Sequence, residues 1–126
     1  MIRITYCLHR LPALTREEFQ RYWHGTHALL VVAASEPLGI RRYVQQHTLT
    51  SDMARRFASA QGKPCGEGED YDGVAEIWFD SEEALARVGE SEEGRRHAAI
   101  LAADEARFIH FERSRYFFSA ASEVIV

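Results

Sequence analysis

Cysteine and lysine are scarce in this chain of 126 residues, which has two cysteines, Cys7 and Cys65, and a single lysine, Lys63. Two cysteines cannot form the disulfide framework of a small secreted domain, so both are expected to be free thiols in a reducing cytoplasm. The arginines are interleaved with acids, and the formal net charge is −4. Nucleic-acid binding requires a basic face, so no nucleic-acid partner is expected.

Long apolar runs are also missing. No stretch approaches the roughly 20 residues that span a bilayer, and residues 1–6 are too polar for the apolar part of a signal peptide. The sequence therefore predicts a cytoplasmic protein without a membrane partner. Its composition of 46% hydrophobic and 27% charged residues is that of a globular protein. The length predicts a single domain over residues 1–126.

The first half of the chain follows a strand, helix, strand pattern. Residues 2–10 alternate between apolar and polar side chains, which is the period of a half-buried strand. Thr15 and Glu18 can form a capping box, and the apolar stripe behind it predicts a helix to about Ser35. Residues 40–50 alternate again and predict a second strand. The helical stripe consists of Phe19, Tyr22, Trp23, Thr26, Leu30 and Ala33.

The second half repeats this order after an irregular stretch. Cap residues and turn signals separate the segments, and the last of them is rich in aromatic residues. The predicted segments are 52–60 for one or two helical turns, 62–68 for a loop, 74–79 for the third strand, Asp80 or Ser81 as the cap of a helix, 89–91 as a break before another helix, 107–118 for the fourth strand, and 123–126 for a short additional strand.

This order predicts an α+β fold of the ferredoxin-like βαββαβ type, a four-stranded antiparallel sheet with both helices on one face. The third strand is nevertheless apolar on both sides, with Ile77 and Phe79 on one and Val74 and Trp78 on the other. Soluble monomers rarely expose an apolar patch of that size. We therefore expect a homodimer in which two sheets stack face to face as a dimeric α+β barrel, with a cavity at the seam.

Four sequence blocks resemble the EthD-domain family, which belongs to the dimeric α+β barrel superfamily. The agreement extends from residue 2 to about 118. The blocks are LTxEEFxxYWxxxHAxLV at 14–31, RYVQxH at 42–47, YDGVAEIWFDS at 71–81 and DExxF at 104–108.

The resemblance implies a broad oxidoreductase role, associated with oxidative ether degradation beside a cytochrome P-450 system. Superfamily relatives include muconolactone-type isomerases, polyketide cyclases and dehydratases, monooxygenases and heme-handling proteins. We therefore expect a protein that binds a small hydrophobic molecule, as a cofactor-free enzyme of oxygenation or of proton transfer in an isomerase or cyclase reaction. The alternatives are a non-catalytic carrier in an oxidative pathway, a heme-handling barrel, and a structural dimer whose cavity is filled by side chains.

His27 and Tyr43 are the candidate catalytic residues. His27 lies beside the apolar stripe of its helix, and an imidazole with a pKa of roughly 6.5 suits proton transfer. Alternatively, it hydrogen-bonds a neighbouring loop and holds the helix end. The resemblance adds that isomerase-like relatives place a pocket histidine and a pocket tyrosine at these two positions. Tyr43 would then stabilise an oxyanion or hold a carbonyl, or else its hydroxyl simply meets water.

Four further residues are candidates for substrate binding. Gln45 and His47 share the side of the second strand that carries Tyr43, so all three line the pocket only if that side faces the cavity. Trp78 and Glu76 share a face of the third strand, where Trp78 is either a core residue or a ligand platform. Glu76 is either a base whose pKa is raised inside a closed barrel or the partner of an arginine at its mouth.

No metal and no cofactor are expected. His24 and His27 lie three residues apart on a helix, but the sequence offers no obvious third ligand. Heme, bound through one of the histidines, remains the alternative cofactor. No glycine-rich phosphate loop or GxSxG motif is found, which excludes nucleotide-binding and α/β-hydrolase functions.

Overall fold

The computed structural model describes residues 1–63, 65–66 and 70–126. Four strands form one antiparallel sheet in the order β2-β3-β1-β4, which is the predicted ferredoxin-like arrangement. The strands are β1 (Ile2–Leu8), β2 (Arg42–His47), β3 (Gly73–Phe79) and β4 (Arg115–Ser119), and the helices are α1 (Arg16–Tyr22), α2 (Ala28–Leu38), α3 (Asp52–Ala60), α4 (Glu82–Ala86) and α5 (Glu92–Glu105).

The capping box predicted at Thr15 starts α1. The Thr15 side chain accepts a hydrogen bond from the backbone N–H of Glu18, and the Glu18 carboxylate accepts one from the backbone N–H of Thr15. Two arginines near this point, Arg10 and Arg16, bind the buried carboxylate of Asp72 just before β3. These contacts tie the start of α1 to the start of β3 at the end of the two central strands.

A π-helical turn over Trp23–His27 joins α1 to α2. The Ala28 N–H donates to the Trp23 carbonyl five residues earlier, so the turn contains one residue more than an α-helix would. As a result, the buried stripe after Trp23 runs through His27, Val31 and Ala34. The predicted stripe through Thr26, Leu30 and Ala33 is wrong by one residue, because the prediction assumed an uninterrupted α-helix.

The two main helical segments cover one face of the sheet, and α2 packs against α5. The core between them centres on Phe19, Trp23, Phe108 and Leu8. Trp23 lies so close to β3 that a methyl group at Gly73 would approach the indole ring to 2.4 Å. Glycine is therefore required where the helix meets the sheet.

The end of the chain differs from its prediction. The predicted fourth strand over 107–118 begins only at Arg115, because Phe108 and Ile109 lie in the buried core at the end of a turn that follows α5. No strand is found at residues 123–126, where Val124 and Ile125 are exposed. Helix α3 forms as predicted, whereas the predicted loop over 62–68 lies in part outside the described residues.

Within the described part of the chain, no helix has the length and apolar character needed to cross a membrane.

Candidate functional site

A cavity of about 250 Å³ lies inside the subunit, between the helix-covered face of the sheet and helices α2 and α5. Most of its lining is aliphatic. The titratable groups among the described residues of the lining are His27, Glu105 and the tyrosines Tyr6, Tyr43 and Tyr116. An apolar cavity with a few convergent polar groups is the usual form of a small-molecule site.

His27 enters the cavity wall from the end of the π-turn and is 5% exposed. Its Nδ1 lies 2.8 Å from Oδ2 of Asp104, and the other carboxylate oxygen accepts a hydrogen bond of 2.6 Å from the Tyr22 hydroxyl. The ring of Phe108 packs against the imidazole at 4.9 Å between centroids. The partner of His27 is therefore a side chain of α5, and not the neighbouring loop proposed in the alternative interpretation.

The hydrogen bond to Asp104 determines which nitrogen of His27 is basic. Burial lowers the pKa of His27, although the hydrogen bond and the charge of Asp104 oppose this change. The neutral ring then donates its Nδ1 proton to the Asp104 carboxylate, and Nε2 retains its lone pair. This is the arrangement of an oriented general base.

Tyr43 extends from β2 towards the helices and also lines the cavity. Its hydroxyl oxygen accepts hydrogen bonds from Nε1 of Trp23 at 3.2 Å and from Nε2 of Gln45 at 3.0 Å. Two donors occupy the two lone pairs of the phenol oxygen, so its own proton is available to a ligand. Burial raises the pKa of Tyr43, which keeps the hydroxyl protonated at neutral pH.

Glu105, the last residue of α5, places a carboxyl group in the same cavity. Burial, with a smaller contribution from the charge of Asp104, raises the pKa of Glu105 to about 7. Burial and the Glu105 charge also raise the pKa of Tyr6 to about 12 and shift that of Tyr116 upward. The cavity therefore contains two groups that can take part in proton transfer, the neutral imidazole of His27 through Nε2 and the carboxyl group of Glu105.

The predicted position of the cavity is wrong. The side of β2 that carries Tyr43, Gln45 and His47 faces the helices, and the cavity lies there rather than at a seam between two sheets. Gln45 and His47 are not among the described residues that line it. Nε2 of His47 lies 3.0 Å from Oε1 of Gln45. Nε2 of Gln45 donates hydrogen bonds to the Tyr43 hydroxyl and to the Trp23 carbonyl. The two residues therefore stabilise the position of Tyr43 without lining the cavity themselves.

Trp78 and Glu76 lie on the opposite side of the sheet, here called the open face. Trp78 lies between the guanidinium groups of Arg3 and Arg42, and Glu76 forms an ion pair of 2.7 Å with Arg3. Because strand residues alternate between faces, these two candidates cannot share a pocket with Tyr43. Of the alternatives for Glu76, the structure shows the pairing with an arginine. The open face consists of Arg3, Thr5, Cys7, Arg42, Val44, Gln46, Val74, Glu76, Trp78, Arg115, Phe117 and Ser119.

Asp104 and Glu105 were missed as site residues, although the DExxF block contains both. A usable signal was present in α5, where Gly94, Ala98 and Leu101 form an apolar stripe that Glu105 continues at helical spacing. A carboxyl group on the apolar side of a helix indicates a buried acid. The partnership of Asp104 with His27 could not be predicted, because it depends on the extra residue of the π-turn.

Among the described residues, no group of three or more His, Cys, Asp and Glu side chains is arranged to hold a metal ion.

Comparisons with known proteins agree on the fold. The sequence model of the EthD domain matches residues 11–112. An EthD family protein of Bacillus halodurans is 19% identical, with a TM-score of 0.61 over 97% of this chain and 99% of its own. A dimeric protein of unknown function with a ferredoxin-like fold, from Bacteroides fragilis, is 11% identical, with a TM-score of 0.57 over 94% of this chain and 93% of its own.

HapK from Hahella chejuensis is 10% identical to this chain, with a TM-score of 0.57 over 100% of this chain and 99% of its own. At such identities these structures show the fold alone. No curated protein sequence matches the chain.

Proposed function

Since the chain belongs to the EthD domain family, whose domain model spans residues 11–112, we propose that its cavity binds a small, largely apolar organic molecule and that His27 transfers a proton there. The observation that carries the proposal is the buried His27–Asp104 pair in the wall of an otherwise apolar cavity. Isolated polar groups are costly in such surroundings, and titratable pairs in a cleft indicate a functional site.

The proposed reaction follows from the hydrogen bonds of His27 and of Tyr43. Nε2 of His27 takes a proton from a carbon next to a carbonyl group, and the imidazolium that forms is stabilised by Asp104. Negative charge develops on the carbonyl oxygen, and this oxygen accepts a hydrogen bond from the hydroxyl group of Tyr43. Return of the proton to the same or another carbon completes an exchange or an isomerisation, and no cofactor takes part in this proposed step.

The active form is proposed to be a homodimer joined through the open face. That face leaves Phe117 half exposed and flanks Trp78 with two arginines, whereas the opposite face is covered by helices. The Bacteroides fragilis protein is described as dimeric, which supports a dimer for this chain. In this proposal each subunit keeps its own cavity, and the seam between the sheets contains no ligand.

The proposal can be tested with a probe that needs no knowledge of the natural substrate. 2-Tetralone is an uncharged aromatic ketone with an acidic α-carbon, and its uptake of deuterium from D2O is followed by NMR. We expect the protein to accelerate the exchange, and His27→Gln to reduce that acceleration about 100-fold, the usual size of a general-base contribution. His24→Gln, one turn earlier and exposed, is the matched control and should retain full activity.

Three outcomes decide the proposal. Loss of exchange in His27→Gln with unchanged ligand affinity supports it. Binding of the ketone without any exchange would favour the alternative of a non-catalytic carrier. Exchange that persists in His27→Gln would contradict the role of His27. A heme titration followed by absorbance tests the heme alternative, which predicts stoichiometric binding through one of the histidines.

A further inference from the structure

We infer that the cavity selects uncharged organic molecules against carboxylates and other anions, and that Glu105 is the residue that sets this preference. The inference rests on the proposed function, since it concerns the ligand class of the same cavity. It adds a substrate property that the proton-transfer step alone does not require.

The charges around the cavity support this selection. None of the described residues that line it is arginine or lysine, and its one acidic side chain is Glu105. His27 is held neutral by burial, and its Nδ1 proton is already directed to Asp104. An anion that entered would therefore lose its hydration without meeting a cation, which is strongly unfavourable in apolar surroundings.

No arginine or lysine among the described residues of the cavity lining can pair with Glu105. The charged group that acts on it is its neighbour Asp104, and the Glu105 charge in turn raises the pKa values of Tyr6, Tyr116 and Tyr43, which extend from the sheet. Oδ1 of Asp104 lies 4.0 Å from Nε of Arg107, whose side chain is 74% exposed and is not part of the cavity lining. Among the described residues, the charge that acts on Glu105 is the negative charge of Asp104, and a bound anion would add a second negative charge.

The same groups suit a neutral ligand. The Tyr43 proton can be donated to a carbonyl or phenol oxygen. The protonated form of Glu105 can donate a hydrogen bond, and its ionised form can accept one from a ligand hydroxyl. A volume of about 250 Å³ is small for a ligand pocket and fits a compact ring system.

The test uses two probes of one shape. 2-Naphthol is uncharged and 2-naphthoate is an anion, and their affinities for the wild-type protein are measured by calorimetry. We expect naphthol to bind at least about tenfold more tightly, since a like-charge or unpaired-charge penalty of this size is common in protein sites. This comparison needs no variant and therefore does not depend on how a variant folds.

The variant Glu105→Gln tests whether Glu105 causes the weaker binding of the anion. At about pH 8.5, where the carboxyl group is ionised, the variant should bind naphthoate at least about threefold more tightly than the wild type does. At about pH 6, where Glu105 is protonated, the variant and the wild type should bind naphthoate with equal affinity. Naphthol affinity should change less than twofold, roughly, at both pH values. Glu93→Gln, an exposed acid paired with Arg96, is the matched control and should change neither affinity.

Equal affinity of the wild type for the two probes would overturn the inference and leave the proposed function intact. An unchanged naphthoate affinity in Glu105→Gln at both pH values would also overturn it, because the selection would not depend on this residue. If neither probe binds, the cavity is not a ligand site, and the inference and the proposed function fail together.

Discussion

Nδ1 of His27 and Oδ2 of Asp104 lie 2.8 Å apart, although the two residues are separated by 77 positions in the chain. The π-turn brings the imidazole to this position, and the end of α5 supplies the carboxylate. Because Tyr22 binds the second oxygen of Asp104, the carboxylate is held from two sides and cannot rotate freely. The pair therefore orients His27 before any ligand binds.

Replacing Asp104 with Asn should lower the pKa of His27 further, because the hydrogen bond and charge that now raise it are weakened. NMR titration of the imidazole protons measures this change. The exchange of 2-tetralone should fall about 10- to 100-fold, as is typical when the partner that orients a histidine is lost. A matched control is Glu93→Gln, which removes the carboxylate next to His97 and should leave His27 unaffected. An unchanged titration of His27 in Asp104→Asn would contradict its orienting role.

Glu105 should make the protein less stable as the pH rises. Its pKa is raised from 4.5 to about 7 on folding, so the folded state binds more protons than the unfolded state within that window. The stabilising contribution is complete below about pH 4.5 and is lost as the pH rises through about 7. Glu105→Gln should therefore be more stable than the wild type at about pH 8, by roughly 1 kcal/mol after allowance for solvent screening. Urea unfolding at several pH values measures the free energy of unfolding of both proteins. If this free energy changes with pH in the same way in both, the prediction is contradicted.

Gly73→Ala should destabilise the fold, because its methyl group would approach Trp23 to 2.4 Å and the Gln46 carbonyl oxygen to 2.8 Å. Overpacking of this kind costs about 1–3 kcal/mol. Gly89→Ala is the matched control, since a methyl group there would meet nothing within 4 Å. Thermal unfolding of the two variants should show a loss for Gly73→Ala alone, and equal melting temperatures would indicate that Trp23 moves away without cost.

The sequence predicted the fold well because the strands and helix starts carry local signals. Alternation marked β1 and β2, and the capping box located the start of α1 at Thr15. Local signals cannot detect a π-turn, since His24, Gly25 and Thr26 are compatible with an ordinary helix. One extra residue rotates the following helix by about 100°, which is why His27 was predicted at the border of the packed stripe and is found buried.

The site was predicted only in part, for a different reason. Alternation along β2 groups Tyr43 with Gln45 and His47 but does not show which face of the sheet the helices cover. That choice depends on tertiary packing, here on the contact of Trp23 with Tyr43 and Gln45. The prediction therefore named a tyrosine that lines the cavity but placed the cavity on the wrong side of the sheet.

The open face provides the last prediction, which concerns assembly. Val44 lies half buried on this face in the edge strand β2, beside Glu76 of the neighbouring strand. In the proposed homodimer, Val44→Asp would bury an unpaired charge between two sheets, which costs several kcal/mol. We expect a dimer for the wild type and a monomer for Val44→Asp in size-exclusion chromatography with light scattering. Val32→Asp makes the same change on the outer side of α2, where Val32 is 67% exposed, and should remain dimeric.

The same pair of variants separates assembly from ligand binding. Because the cavity lies inside one subunit, the monomeric Val44→Asp should still bind 2-naphthol with an affinity close to that of the wild type. A dimeric Val44→Asp would show that the open face is not the interface. A monomer that has lost naphthol binding, with the fold intact by circular dichroism, would show that the partner contributes to the cavity. That result would give the seam between the two sheets a role in ligand binding, because the effect of the substitution could reach the cavity only through residues of the open face.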